Sequence, residues 1–79
     1  MKLIDIGYGN ALNIERIVAV VAADSAPTKR LCAAAKEKLL LIDSTCGKKM
    51  QSAFIMDSGH IVLSARSVDK FVEENKNHG

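Results

Sequence analysis

The hydrophobic pattern near the start of the chain predicts two strands separated by a turn. Apolar and polar residues alternate in "KLIDI" (2–6), as expected for a strand with one buried face. The stretch "GYGN" (7–10) interrupts this alternation with two glycines, which predicts a turn that uses positive φ. Alanine and β-branched residues then fill "IVAVVA" (17–22), a composition typical of a buried strand.

Residues 24–38, "DSAPTKRLCAAAKEK", carry the signals of a helix. Asp24 or Ser25 can cap its N-terminus, and Pro27 suits the first turn because an N–H there would have no helical partner. Lys36 and Lys38 suit the last turn, where cations interact favourably with the helix dipole. The sequence therefore predicts a helix after the second strand.

The second half of the chain predicts three more strands. They are "LLLID" (39–43), "MQSAFIMD" (50–57) and "IVLSA" (61–65), of which the last two are joined by a tight hairpin turn at Gly59. The turn "STCGKK" (44–49) lies between the first two of these strands.

A short helix is predicted to close the chain. In "SVDKFVEENK" (67–76), Ser67 can cap a helix whose apolar stripe contains Val68, Phe71 and Val72. The predicted fold class is α+β, with a small, mostly antiparallel sheet and two short helices in the order β-β-α-β-β-β-α.

The length of the chain bears on how such a sheet is covered. A domain of 79 residues buries only about 60–65% of the surface of its unfolded chain. "IVAVVA" and "LLLI" are apolar on both sides of the pleat, so either the two helices divide between the faces or a second copy covers one face. Because small cores are marginal and two cysteines allow at most one disulfide, we favour self-association.

The chain has no linker, repeat or low-complexity stretch, and it predicts a single domain over residues 1–79. The polar tail, about residues 75–79, is expected to be disordered. No stretch approaches the roughly 18 apolar residues of a membrane span, and the N-terminus lacks the apolar core of a signal peptide. We therefore expect a cytoplasmic protein without a membrane partner.

Residue types used in catalysis and metal binding are present without a recognisable motif. Cys46, His60 and Asp57 are the types of a nucleophile, a base and an orienting group, but no local spacing fixes their geometry. A zinc site from the two cysteines and two histidines lacks the close paired spacings of zinc motifs. "GYGN" resembles a phosphate-binding loop only superficially, because a strand-like run follows it. The sequence predicts no catalytic residue, no cofactor and no metal.

Positive charge is concentrated in one part of the chain. Residues 29–49 contain six cations against two carboxylates, and the net charge of the whole chain is only +2. In that region Lys48 and Lys49 directly follow Gly47 in a turn, where adjacent like charges repel unless an anion meets them. Arg16, just before the strand-like run 17–22, would join them if that end of the strand lies beside the turn.

Five motifs together resemble one family. In chain order they are "IGYGN" (6–10), Arg16, "SAPTKR" (25–30), "LLIDSTCGKK" (40–49) and "IMDSGHIVLSA" (55–65). Their order and spacing resemble the RemA family, small regulators of extracellular matrix genes in biofilm-forming Gram-positive bacteria and their relatives. The resemblance extends over about residues 3–65.

This resemblance implies a DNA-binding transcription regulator with a fold similar to the LytTR DNA-binding domain. Relatives assemble from dimers into rings, an octamer being one such ring, and hold double-stranded DNA along a positively charged outer surface. The family's DNA-contacting residues correspond here to Arg16, Lys48 and Lys49. The tyrosine and asparagine of "GYGN" are expected to be structural or to belong to subunit contacts.

The chain departs from the family pattern at the basic turn. The family has two arginines followed shortly by a third, "GRRTR", where this chain has "GKKMQ". Lysine binds phosphate as a point charge but lacks the bidentate fork that arginine offers to guanine or phosphate. We therefore expect contacts mainly with the DNA backbone, repeated on the copies of a ring. The alternative is an oligomeric scaffold or protein-interaction module that does not bind DNA.

Overall fold

A computed structural model describes residues 2–75, with side chains described as far as Phe71. The elements in chain order are β1 (Leu3–Gly7), β2 (Asn10–Asn13), β3 (Ile17–Ala22), α1 (Ala26–Glu37), β4 (Leu41–Asp43), β5 (Ser52–Met56), β6 (Ile61–Ser64) and α2 (Val68–Asn75). The tail predicted to be disordered lies outside the described residues, except for Asn75 at the end of α2. No helix within residues 2–75 is long and apolar enough to cross a membrane.

The predicted α+β class and helix positions are confirmed, with one more strand than the sequence predicted. β1 and β2 form a separate antiparallel hairpin, and the other strands form a sheet in the order β3-β5-β6-β4. All neighbours in this sheet are antiparallel except β4 and β6, which are parallel. The sequence missed β2 because "NALN" is short and shows little of the alternation that marks a strand.

The strand β3 is an edge strand, so the prediction of a buried strand at 17–22 was wrong. None of its residues is buried, and Val18 is 67% exposed. The register with β5 shifts between Ile17 and Ala19, which is the signature of a β-bulge, a common feature of sheet edges. β-branched residues suit both edge strands and central strands. The composition of residues 17–22 therefore did not distinguish the two positions in the sheet.

The two helices cover opposite faces of the sheet, which confirms one of the two alternatives from the sequence. On one face, Phe54 and Val62 pack with Ile4 and Ile6 of the hairpin and with Phe71 of α2. On the other face, the core cluster consists of Ala35 of α1 with Ala53, Ile61 and Leu63. Because the side chains of a strand alternate between faces, β5 and β6 contribute to both clusters.

Buried serine hydroxyls fasten the β1–β2 hairpin and the chain after β6 to the sheet. Ser64 donates to the Ile6 carbonyl at 2.8 Å, and Ser52 donates to the Arg66 carbonyl at 2.8 Å. The Arg66 guanidinium donates to the Asp5 carbonyl and lies 5.0 Å from the centre of the Phe71 ring. These contacts bring the hairpin tip to the end of β6 at which Ser64 lies.

The ends of α1 follow from local hydrogen bonding. Ser25 caps the N-terminus, accepting from the Thr28 N–H at 3.2 Å, and so decides between the two predicted caps. At the other end, the Leu40 N–H donates to the Ala35 carbonyl and the Leu39 N–H to the Lys36 carbonyl, which is the Schellman arrangement. The predicted strand 39–43 therefore begins only at Leu41.

Leu39 stands where this arrangement usually has glycine. Its φ is 60°, and its side chain is 90% exposed, so nothing in the described chain offsets the cost of the left-handed conformation. We expect Leu39→Gly to raise the free energy of unfolding by about 1 kcal/mol in urea denaturation. Ala33→Gly, at an exposed position within α1, is the matched control and should lower it by about 1 kcal/mol. Destabilisation by both changes would show that the conformation of Leu39 carries no such cost.

Candidate nucleic-acid interface

The lysine pair follows a tight turn between β4 and β5. The Lys48 N–H donates to the Thr45 carbonyl at 3.0 Å, and the two central residues, Cys46 and Gly47, have φ values of 52° and 80°. Positive φ at both central positions is the signature of a type I′ turn. The predicted turn at 44–49 is therefore present, and its glycine occupies a position that requires positive φ.

Residues at the end of β4 hold this turn in place. The Asp43 carboxylate accepts from the Thr45 hydroxyl at 2.6 Å and from the Thr45 N–H at 2.9 Å. These two hydrogen bonds, the hydroxyl's first, lower the pKa of Asp43 from its usual value. Ser44 is buried, and both its N–H and its hydroxyl donate to the Leu63 carbonyl of β6. The turn thus extends from a fixed point on the sheet.

Both lysines of the turn are exposed. Neither forms an ion pair with a carboxylate in the described part of the chain. Lys49 borders an open cavity of about 240 Å³, where Asp24 and Asp69 also lie. Those two carboxylates weaken the positive potential beside Lys49, while Lys48 lies outside the cavity lining. The site is therefore a small exposed cationic surface with acidic groups on one side.

Arg16 lies at the opposite end of the β3–β5 pair from the lysines. Ile17 of β3 is paired with Met56, whereas Ala22 is paired with Ser52, next to the lysine turn. Five residue steps at the usual strand rise separate the two ends of β3 by about 17 Å. The condition under which Arg16 would join the lysines is therefore not met within one copy, because β3 and β5 run in opposite directions.

The Arg16 guanidinium forms an ion pair with Asp57. The Nη1 to Oδ2 distance is 3.0 Å, and the two side chains are 67% and 45% exposed. An exposed pair of this kind contributes about 0–1 kcal/mol to stability, so a phosphate can compete for the guanidinium. Sequence reasoning missed Asp57 as a partner because the two residues are 41 positions apart, and only the strand pairing joins them.

The catalytic alternative based on Cys46 does not assemble in this fold. Cys46 follows β4, beside the end of β6 at Leu63, whereas His60 precedes β6 and Asp57 lies in the same turn as His60. The thiol and the imidazole are therefore separated by the length of β6. Within residues 2–75, no three potential metal ligands come together, and His78 lies outside the described residues. Burial raises the pKa of the Cys32 thiol, the opposite of what a reactive thiolate requires.

Comparison with known sequences gives the family. The profile of a family described as RemA-like, extracellular matrix regulatory protein A-like, matches residues 3–74. The chain belongs to the RemA-like family. A relative from Dictyoglomus turgidum is 54% identical, covering 82% of this chain and 76% of its own length. Others come from Cyanothece sp., 46% identical over 82% of this chain and 71% of the relative, and from Clostridium botulinum, 40% identical over 100% and 96%.

These relatives are each named "Putative regulatory protein". Membership of the RemA-like family confirms the resemblance on which the sequence interpretation rested. It places the chain among regulatory proteins, while the contacts of Arg16, Lys48 and Lys49 with DNA stay a prediction.

The anchoring of the turn predicts a specific pH dependence. Because the pKa of Asp43 is lowered in the folded protein, its ionised form adds stability above the unfolded pKa, about 3.9. That stability is lost as the pH falls through the folded value, so the turn should loosen only below about pH 3.9. The NMR shift of the Thr45 amide, followed against pH, should report a midpoint below that value.

The control for this titration is Asp43→Asn. The variant keeps an oxygen that can accept the Thr45 hydrogen bonds but removes the titrating group, so the Thr45 transition should disappear. A midpoint in the original protein at or above the ordinary aspartate value would show that the carboxylate does not hold the turn.

Proposed function

We propose that this protein is a DNA-binding transcriptional regulator, acting on genes of the extracellular matrix and biofilm formation. It would hold the DNA backbone through its lysine turn, repeated on the copies of an oligomeric ring. The observation that carries this proposal is the exposed lysine pair on a turn anchored to the sheet by Asp43 and Ser44. Membership of the RemA-like family gives the regulatory context.

The geometry of the turn suits phosphate more than base edges. Lysine ammonium groups are flexible point charges, and they match phosphate without the planar fork that bidentate guanine contacts need. The N-terminus of α2 borders the same cavity as Lys49, and its partial positive charge also favours an anion. Asp24 and Asp69 oppose this attraction, which favours a shallow contact at the tip of the turn. A backbone contact of this kind positions DNA without reading its sequence.

One copy alone offers few contacts. Lys48, Lys49 and Arg16 amount to three cations, and a few phosphate contacts give only weak binding at physiological salt. A ring would repeat the turn at a fixed spacing, so each engaged copy adds counterion release and raises the effective concentration of the next. Only DNA that bends at low energetic cost could follow a curved surface. Sequence preference would then come mainly from DNA deformability.

A DNA titration tests the lysine turn. The duplex is about 100 base pairs long, and binding is measured over a range of salt for the original protein and for Lys48→Ala/Lys49→Ala. We expect the double variant to keep its oligomeric mass while losing affinity. The slope of log K against log salt should fall by about one unit for each lost phosphate contact in each engaged copy.

The matched control is Lys29→Ala/Lys36→Ala, which removes the same charge from exposed positions on α1. It should change the slope much less, since only long-range attraction is altered. Equal loss in both double variants would show that overall charge, not the turn, drives binding. Weak binding by all three proteins, with their masses unchanged, would favour the scaffold alternative.

The Arg16–Asp57 ion pair gives a second test, in which substitutions of its two members should change DNA affinity in opposite directions. Arg16→Ala removes a predicted phosphate contact and should weaken binding and reduce the salt slope. Asp57→Asn removes a carboxylate that competes for the guanidinium at 3.0 Å and should strengthen binding by a few-fold. Fluorescence anisotropy with a labelled duplex measures both. If Asp57→Asn weakens binding while the fold is intact, Arg16 does not contact the DNA.

A further inference from the structure

The turn that joins β5 to β6 places a histidine near Arg16. The Asp57 N–H of this turn donates to the Arg16 carbonyl at 2.9 Å, and the Asp57 carboxylate forms the ion pair with the Arg16 guanidinium. His60 lies at the base of the same turn, where its carbonyl accepts from the Met56 N–H at 3.0 Å. Arg16 and His60 therefore lie at the same end of the sheet.

The strand pairing gives the spacing between these two residues. Ile17, next to Arg16, pairs with Met56, and Met56 lies opposite His60 across the β5–β6 hairpin. Neighbouring strands are about 4.8 Å apart, so the backbones of Ile17 and His60 are separated by about 10 Å. DNA held by the Arg16 guanidinium would therefore pass close to His60.

The imidazole of His60 is held through one nitrogen and open at the other. The Ser58 hydroxyl lies 2.7 Å from Nδ1, at hydrogen-bonding distance. A hydroxyl donates to a neutral ring nitrogen and accepts from a protonated one, so this contact persists in both charge states of the ring. Nε2 forms no hydrogen bond within residues 2–71. Because no buried side-chain nitrogen or oxygen in that range lacks a partner, Nε2 reaches the surface of the half-buried residue.

The charges around this turn are balanced while His60 is neutral. The segments beside it contribute two cations and two carboxylates, which are Arg16, Lys38, Glu15 and Asp57. Lys38 belongs to the end of α1, which shares a groove with Gly59 and Ile61. Histidine is the side chain whose ordinary titration falls between pH 5 and 8. Protonation of His60 therefore gives this end of the sheet a net positive charge.

A positive charge at His60 would add what Asp57 takes away. The carboxylate of Asp57 lies 3.0 Å from the Arg16 guanidinium and opposes the attraction of phosphate to it. A protonated imidazole donates a charge-assisted hydrogen bond from Nε2, which suits a phosphate oxygen. Each further cation that meets a phosphate releases counterions from the DNA and so strengthens binding.

We infer that His60 is a further contact with the DNA backbone, beside Arg16, and that its protonated form binds DNA more tightly than its neutral form. DNA affinity should therefore rise as the pH falls from 8 to 5.5. By reciprocity, binding of DNA should promote the uptake of a proton by His60. This inference deepens the proposed function and rests on it.

The first test is fluorescence anisotropy with a labelled duplex at pH 5.5 and pH 8, at constant ionic strength. The original protein should bind more tightly at pH 5.5, by about two- to fivefold for each copy engaged on the duplex. The salt slope should rise by about one unit for each engaged copy. His60→Gln, which keeps a polar side chain that does not titrate, should show neither change.

The matched control is His78→Gln, since His78 is the other histidine of the chain. This variant should keep the full pH dependence of the original protein. His60→Lys carries a positive charge at both pH values, so it should bind at pH 8 about as tightly as the original protein binds at pH 5.5. Thermal unfolding of each variant without DNA checks that the fold is intact.

The second test measures proton uptake directly. Calorimetric titration of the duplex near pH 6.5, in buffers of different ionisation enthalpy, gives the number of protons taken up on binding. We expect uptake by the original protein and by His78→Gln, and almost none by His60→Gln.

The outcomes separate this inference from the proposed function. DNA binding by the original protein without pH dependence, or a pH dependence that persists in His60→Gln, would overturn the role of His60 and leave the proposed function standing. An original protein that binds no DNA at either pH would overturn both.

Discussion

The position of the lysine turn depends on the parallel pairing of β4 with β6. β4 has only three residues, and it is held on one side alone, by β6. Its start is set by the Schellman end of α1, and its end is set by Ser44, which is bound to the Leu63 carbonyl. Because every residue of β6 is buried, this short strand and the turn that follows it are attached to the most deeply buried strand of the sheet. Lys48 and Lys49 therefore extend from a fixed support.

The same sheet order separates Arg16 from the lysine turn, two cationic sites whose adjacency the sequence left open. β3 runs antiparallel to β5, so Arg16 and the lysine turn lie at opposite ends of the pair. One copy thus offers two small cationic surfaces, one weakened by Asp57 and the other bordered by Asp24 and Asp69. Neither is large enough for firm DNA binding by itself. Under the proposed function, assembly would supply the number of contacts that binding needs.

Much of the fold could be predicted from local sequence signals. A helix cap at Asp24 or Ser25, Pro27 in the first turn and the tight turn at Gly59 each follow from one physical preference. All three features are present, with Ser25 as the cap. The end of α1 could not be predicted in the same way. A leucine at φ 60° violates the usual preference for glycine, so Leu39 and Leu40 were assigned to a strand.

The candidate site was only partly predictable for a different reason. The exposure of Lys48 and Lys49 follows from a glycine-led turn, which is a local feature. The positions of Arg16, Asp57 and Asp24 relative to that turn depend on strand order and direction, which residues distant in sequence decide together. The edge position of β3 likewise depends on its neighbours, because its composition also suits the centre of a sheet.

The most direct test of DNA binding by the lysine turn is a lysine-reactivity footprint of the protein with and without a duplex. Each lysine is labelled briefly with an amine-reactive reagent at low salt, and the extent of labelling is read by mass spectrometry. We expect DNA to protect Lys48 and Lys49 strongly and to leave Lys29 and Lys36 on α1 nearly as reactive as before. Protection of the α1 lysines with the turn still fully reactive would contradict the proposed contact, and would place the DNA, if bound, on a different surface.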